Sequence, residues 1–338
     1  MNNQMTQPAE PAAIPQEEFE YAQSVIRKLS DYYDARMVGQ QNLKFVLTAS
    51  ILADGHILLE SVPGLAKTTA AKTIADAVDG RFSRIQCTPD LLPGDIIGTQ
   101  IYNQGTGRFE TKLGPVFANF VLLDEVNRSS AKTQSAMLEA MQERQVTIGG
   151  ETHRMPEDIF IVIATQNPIE QEGTYPLSEA QTDRFMLKEK ITYPSAEEEV
   201  EILNRTESGA LTRKAPPVMT IADVDRLQKT AEKVYVDEAI KRYIAQIVDA
   251  TRKADKVLPK EMAAYVRMGA SPRASIAFLQ IAKSVALLYG RPYVTPDDVK
   301  MLRQQVLRHR ISLSYAAVAD RVSVEEVIDK LVGAIPTP

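Results

Sequence analysis

The sequence predicts an α/β chain in which a half built on a parallel sheet precedes an all-helical part. Three observations carry this. Five short strand-like runs, at residues 57–59, 83–87, 119–125, 159–164 and 185–191, alternate with helical or turn-rich stretches. One of them, NFVLLDE at 119–125, is a continuous apolar run closed by two acids, which fits a parallel strand covered on both faces. From Tyr193 onward the strand pattern stops and amphipathic helical patterns follow, so the boundary is placed near Pro194. The resulting division is a tail at 1–16, an α/β domain at 17–194 and a helical domain at 195–338.

The elements follow in order. Residues 1–16 are rich in Gln, Pro and Ala and are predicted to be a disordered tail. Phe19, Ala22, Ile26, Leu29 and Tyr33 share one helical face and predict a helix over 18–33. Val38-Gly39-Gln40 is a break, and Leu43, Val46, Leu47 and Ile51 predict a second helix over 41–53. The first strand then runs into the turn of LLESVPGLAKTT, after which Lys67, Thr68 and Thr69 open a helix ending near Gly80. Residues 91–117 interrupt the alternation; Ile101-Tyr102 and 108–112 flank a Gly-rich turn and predict a β-hairpin insertion, the alternative being a long surface loop. A helix over 132–142, with Met137, Leu138 and Met141 inward, precedes a second hairpin turning at Gly149-Gly150. A short helix at 177–184 leads to the last strand. In the helical part, Ser195 with Glu198 forms a capping box and 208–217 resembles a linker. Helices are predicted over 221–234, 237–253, 271–289, 296–309 and 324–332, with start signals at Ser271-Pro272, Thr295-Pro296 and Ser323 with Glu326.

A strand, a tight turn and a helix N-terminus make a phosphate cradle, because the turn amides point inward and the helix dipole favours an anion. In that geometry Lys67 would reach the β- and γ-phosphates and Thr68 would hold Mg²⁺. The literal pattern G-x-x-x-x-G-K-[ST] is not met: Ser61 and Ala66 stand where it has glycines, and an ordinary helix start is the alternative. Adjacent acids at the end of a buried strand cost desolvation unless a cation or water sits there, and that sheet edge is where ligands of open α/β sheets bind. Asp124 is therefore a candidate Mg²⁺ ligand and Glu125 a candidate for polarising the attacking water, against the alternative of two acids capping the next helix. Asn167, at the end of the fourth strand, could hydrogen-bond a γ-phosphate oxygen and that water. Arg273, second in its helix, opposes the helix dipole unless an anion is near. Arg184 follows Asp183, and a local surface pair is its plain alternative.

Composition narrows the classes. The chain has 338 residues, 44% hydrophobic and 25% charged, an ordinary globular balance with enough length for a large core. A net charge of −5 argues against a mainly electrostatic nucleic-acid binder. Cys87 is the single cysteine, so no internal disulfide is possible. The three histidines, His56, His153 and His309, lack metal-ligand spacing and are expected to be packing or surface residues. No apolar run reaches membrane-spanning length and the N-terminus lacks a secretory pattern, so a cytoplasmic location is the default expectation.

Taken together the motifs resemble those of an AAA+ ATPase, and closely those of its MoxR family: SVPGLAKT (Walker A), FVLLDEVNR (Walker B), IATQNP (sensor 1), SEAQTDRF (the arginine-finger region) and GASPRA (sensor 2). The resemblance covers roughly residues 38–332. It implies a five-stranded parallel P-loop core with two β-hairpin insertions and an α-helical lid, with ATP between core and lid. The nucleotide contacts would come from Val38 and Gly39 near the adenine and from Ser61, Val62, Pro63, Gly64, Leu65, Ala66, Lys67, Thr68 and Thr69 in the turn. Thr68 and Asp124 would hold Mg²⁺. Glu125, Asn167, Arg184 and Arg273 would act in hydrolysis, Arg184 in the site of a neighbouring subunit and Arg273 on the γ-phosphate from the lid. Arg128 is a second candidate for the contact between subunits. Members of the family usually form ring hexamers, act as chaperone-like factors on other protein complexes and often work with a partner bearing a von Willebrand factor A domain. Ser61 departs from the family's usual glycine, which bears on nucleotide affinity if that position needs φ > 0.

Two other functions share these motifs. A DNA-translocating ring would show DNA-stimulated hydrolysis with steep salt dependence, a reading that the acidic balance disfavours. A non-hydrolysing switch would bind a partner when loaded with ATP and show no turnover.

Overall fold

The computed structural model describes residues 14–62, 64–168, 173–212 and 215–338. The elements are α1 (Gln16–Asp34), α2 (Gln41–Leu52), β1 (Ile57–Glu60), α3 (Lys67–Ala77), β2 (Val78–Asp79) and β3 (Phe82–Gln86), followed by α4 (Pro93–Ile97). Next come β4 (Gly98–Asn103), β5 (Arg108–Leu113), β6 (Phe120–Asp124), α5 (Ala131–Glu143), β7 (Gln145–Ile148), β8 (Glu151–Arg154), β9 (Ile161–Gln166), α6 (Glu179–Thr182) and β10 (Leu187–Lys190). The remainder holds α7 (Ala196–Glu207), β11 (Met219–Thr220), α8 (Ile221–Glu232), α9 (Glu238–Arg252), α10 (Ala254–Val257), α11 (Lys260–Ala263), β12 (Val266–Met268) and α12 (Pro272–Leu288). It ends with α13 (Pro296–Met301), α14 (Arg303–Leu307), β13 (Ser312–Leu313), α15 (Tyr315–Ala319) and α16 (Val324–Ala334).

The central sheet has five parallel strands in the order β10-β1-β9-β6-β3. Alternation along the strands divides its side chains between two cores. Ile57, Leu59, Phe120, Leu122, Ile161, Ile163 and Leu187 face α1, α2, α3 and the lid helices. Leu58, Ile85, Val121, Leu123, Val162 and Ala164 face α5 and the second hairpin. Burial on both faces is why the inner strands β1, β6 and β9 read as nearly continuous apolar runs, while the edge strands β3 and β10 carry charged and polar residues.

Both predicted hairpins are present: β4 pairs antiparallel with β5, and β7 with β8 across Gly149-Gly150. The capping boxes at Ser195/Glu198 and Ser323/Glu326 also form. The lid helices α8 and α12 pack on α1 and α2, and one apolar cluster runs through all four.

Several expectations are corrected. Gln16 is the first helical residue of α1, after Pro15, and Ile14 packs against the core; residues 1–13 of the expected tail lie outside the described residues. The single helix expected over 296–309 breaks at Leu302 (φ −109°, ψ 24°) into α13 and α14. The expected linker contains a short 3-10 turn at Ala210–Thr212. Around the lid helices run two strand pairs that no local pattern announces, β11 with β2 and β12 with β13.

Candidate nucleotide-binding site

The turn after β1 has the form of a phosphate cradle. Positive φ falls on Gly64 (85°) and Ala66 (52°), and Ser61 is absent from the positive-φ positions. The departure at Ser61 therefore needs no glycine backbone; its hydroxyl donates to the Val62 carbonyl (2.9 Å) and it is buried. A Cβ on Gly64 would meet nothing within 4 Å, so the turn leaves open space above it. Pro63, expected among the cradle residues, lies outside the described residues. Lys67 opens α3, is buried, and donates from Nζ to the Ser61 carbonyl (3.2 Å), which folds the ammonium back over the turn.

The two acids of β6 come to the same edge. In the sheet, β9 lies between β1 and β6, so the residues ending β9 stand between the cradle and the acids. The Thr68 hydroxyl donates to Asp124 Oδ2 at 3.3 Å, which joins cradle and acid directly. The other carboxylate oxygen, Oδ1, accepts from the Thr165 hydroxyl at 2.7 Å, and that same hydroxyl oxygen accepts the Glu125 amide at 2.8 Å. Arg84, on β3, donates to Oδ2 from Nε (3.2 Å) and Nη2 (2.5 Å). Burial pushes the Asp124 carboxyl up, but the Arg84 and Thr165 hydrogen bonds outweigh it and hold it below the usual carboxylate range. Asp124 thus stays ionised, and with the Thr68 hydroxyl offers two adjacent oxygen donors of the kind a hard cation takes alongside phosphates and water. Among the described residues no group of three or more His, Cys, Asp or Glu could hold a metal ion.

Glu125 follows in a left-handed conformation (φ 57°), which turns its side chain away from the line of the strand. Its Oε2 accepts from Gln86 Nε2 at 3.2 Å and pairs with Arg128 Nε at 3.2 Å. Arg128, the alternative intersubunit residue, is thus engaged by an acid of its own chain. Asn167 is buried immediately beyond β9, and its carbonyl accepts from Asn127 Nδ2 at 3.4 Å. Cys87 is buried, its thiol is pushed up to about 12 by that burial, and it offers no nucleophile.

Beside the turn lies a cleft of about 210 Å³ lined by Met37, Val38, Leu65, Pro194 and Ile202 among others, whose apolar character suits a nucleobase. Gly64, Ala66 and Thr69 reach its rim. Gly39, expected near the adenine, is not among its lining residues. It has φ +64°, a backbone conformation that favours glycine.

Arg184 and Arg273 are not part of this constellation. The Met186 amide donates to the His56 carbonyl just ahead of β1, which sets Arg184 at the N-terminal edge of the parallel sheet. Lys67 and Asp124 are at the C-terminal edge, a strand length of roughly 13 Å away at ~3.3 Å per residue. Arg273 is next to Arg184: both donate to Gln142 Oε1, from Arg184 Nε at 3.0 Å and from Arg273 Nη2 at 3.4 Å. In this arrangement the lid docks α12 so that Arg273, expected to touch the γ-phosphate from the lid, stands at the far end of the sheet from Lys67 and Asp124. The plain Asp183–Arg184 pair is not found either; Asp183 bonds instead to Arg310, Ser271 and Arg273.

Thr165, Arg84, Gln86 and Gln142 had no signal in the sequence. The register, with Gln86 beside Asp124 and Leu123 beside Ala164, reveals the first three, and Gln142 emerges from its hydrogen bonds with Arg184 and Arg273.

A phosphate cradle and an Asp-Glu pair on a five-stranded parallel sheet, completed by a helical lid, define an AAA-type ATPase. Residues 56–187 match the ATPase family associated with various cellular activities (AAA), and residues 260–331 match the AAA lid domain. The chain is 50% identical over 302 residues to chaperone MoxR1 of Mycobacterium tuberculosis, spanning 89% of this chain and 79% of that protein. It is 30% identical over 319 residues to protein MoxR of Paracoccus denitrificans, spanning 89% and 93%. A crystal structure from Cytophaga hutchinsonii matches with a TM-score of 0.89 at 44% identity, over 96% of this chain and 98% of that one. The chain belongs to the MoxR family of AAA ATPases, and ATP binding goes with that membership. Among the described residues, no helix is long and apolar enough to cross a membrane.

Proposed function

We propose that the chain hydrolyses ATP to ADP and phosphate and uses the turnover to remodel, mature or activate a partner protein complex. The observation that carries the reading is the Thr68–Asp124 contact at 3.3 Å, which brings the cradle and the strand-end acids together as one site.

The residues divide the work. The turn amides and Lys67 bind the phosphates, and Thr68 and Asp124 hold Mg²⁺. Bound there, magnesium ATP supplies the phosphoryl group to be transferred and neutralises part of its charge. Glu125, with its amide anchored on Thr165, orients the attacking water, and Asn167 steadies that water or a γ-oxygen. Catalysis in such a site is mostly positioning and charge stabilisation. Because Arg184 and Arg273 share the far edge of the sheet, we assign both to the site of a neighbouring copy in a ring, of hexameric size by analogy with the family. An arginine inserted in this way is worth roughly three to five orders of magnitude in rate, so an isolated subunit would be slow. A cytoplasmic location and a partner with a von Willebrand factor A domain complete the proposal; the similarity to a protein named chaperone MoxR1 supports the chaperone-like part.

The test is Glu125→Gln in the full chain. The variant should bind ATP with Mg²⁺ as the wild type does, turn over at less than about a hundredth of its rate, and retain client proteins on affinity capture. A wild type without turnover at concentrations where it assembles would overturn the reading in favour of a binding switch.

A further inference from the structure

We propose that Asp183 is a positioning residue that ties the lid to the arginine beside it, so that the lid's orientation sets how Arg184 and Arg273 are presented to a neighbouring copy. This rests on the assignment of those arginines to the neighbour's site.

Asp183 caps the end of α6 and is the residue before Arg184, yet its carboxylate turns away from Arg184. Oδ1 accepts from Arg310 Nε at 2.9 Å, Oδ2 accepts from the Ser271 hydroxyl at 2.8 Å, and Arg273 Nη1 is 3.6 Å from Oδ2. All three partners come from the lid. Ser271 is the N-cap of α12, and its oxygen also accepts the Arg273 amide at 3.2 Å. One carboxylate therefore fixes the first turn of the helix that carries Arg273.

Arg310 completes the joint. Its side chain is 2% exposed, and besides Asp183 it donates to the carbonyls of Phe185 (2.7 Å), Met186 (3.0 Å) and Val306 (2.5 Å). The guanidinium thus grips the backbone on the far side of Arg184, while Asp183 grips it on the near side. A buried arginine of this kind needs its carboxylate, because removing one partner leaves the other charge uncompensated. Arg184 itself is held by the Ala180 carbonyl (Nη1, 2.6 Å) and by Gln142, the acceptor it shares with Arg273. A rotation of the lid then moves the two arginines as a pair. A surface ion pair would have no such effect, since it would leave the lid free of the arginine-bearing turn.

The experiment uses the full chain with Asp183→Asn and follows ATP turnover and the Kd of a fluorescent ATP analogue. The expected result is a fall in kcat of about a hundred-fold, the scale of a misplacement of about 1 Å, with Kd unchanged. Excess Lys67→Ala subunits, which keep Asp183 and Arg184 intact, should restore turnover at the sites of the Asp183→Asn subunits. Unchanged kcat would overturn the proposal. So would failure of this rescue where Arg184→Ala is rescued by the same mixing, because the damage would then lie within the mutated chain's own site. If Arg184→Ala is not rescued either, the assignment of the arginines to the neighbour falls, and the proposal with it. Should Asp183→Asn not fold, Ser271→Gly decides by the same criteria: glycine is nearly as good an N-cap, so chiefly the bond to Asp183 is lost, and a smaller fall in kcat with the same rescue is expected.

Discussion

Thr165 and Asp124 share a hydrogen bond of 2.7 Å between the middle strand of the site and its acid, and the same hydroxyl receives the Glu125 amide at 2.8 Å. One fully buried side chain thus fixes both the rotamer of the candidate metal ligand and the backbone of the candidate water-orienting residue. Thr165→Val keeps the shape and removes the hydroxyl, leaving a buried amide and a carboxylate oxygen short of a partner. The expected loss is about 1–3 kcal/mol in urea unfolding, with a lowered kcat measured alongside.

Ala66 holds a left-handed conformation (φ 52°) at the entry to α3. For an alanine this costs about 1–2 kcal/mol, partly offset in any glycine replacement by about 0.5–1 kcal/mol of added chain entropy. Ala66→Gly should therefore stabilise the fold by roughly 0.5–1 kcal/mol, read as a higher urea midpoint, with ATP-analogue affinity retained.

Arg84 donates twice to Asp124 Oδ2, the oxygen that also meets Thr68. A cation held between Thr68 and Asp124 competes with that guanidinium for the same oxygen. The Arg84 side chain is 50% exposed, so the pair is worth at most about 1 kcal/mol. Arg84→Met should lower the Mg²⁺ concentration for half-maximal nucleotide binding by up to about five-fold, measured by magnesium titration with a fluorescent ATP analogue.

His56 is buried ahead of β1, with Nδ1 accepting the Val162 amide (3.1 Å) and Nε2 at 3.2 Å from the Met141 carbonyl. Burial first of all, with Arg144 nearby, lowers its pKa from 6.5 to about 4. Below pH 6.5 the unfolded chain binds this proton before the folded one does. The stability contributed by neutral His56 is therefore complete above pH 6.5 and is lost as pH falls toward 4, by about 3 kcal/mol in all. His309, buried against the Phe185 carbonyl, is lowered by burial in the same sense. Unfolding free energy measured from pH 7 to pH 4 should decline less steeply in His56→Gln than in the wild type.

The sequence by itself determined the local features: the cradle turn, the apolar strands, both hairpins and the capping boxes at Ser195 and Ser323. Periodicity, turn chemistry and helix starts depend on residues a few positions apart, so they are written where they act. It also determined which acids end β6, because a polar pair closing a buried run stands out without any partner in view.

The tertiary structure alone decided who meets whom. The insertion of β9 between β1 and β6 brings Thr165 to Asp124, and the register of β3 brings Arg84 and Gln86 to the same acids. The docking of the lid carries Arg273 to Gln142 and Asp183, far from Lys67. Strand order and lid orientation are set by packing between residues far apart in the chain, 41 positions for Asp124 and Thr165 and 127 for Asp183 and Arg310. No local pattern encodes a choice that only the combined burial of both cores can make.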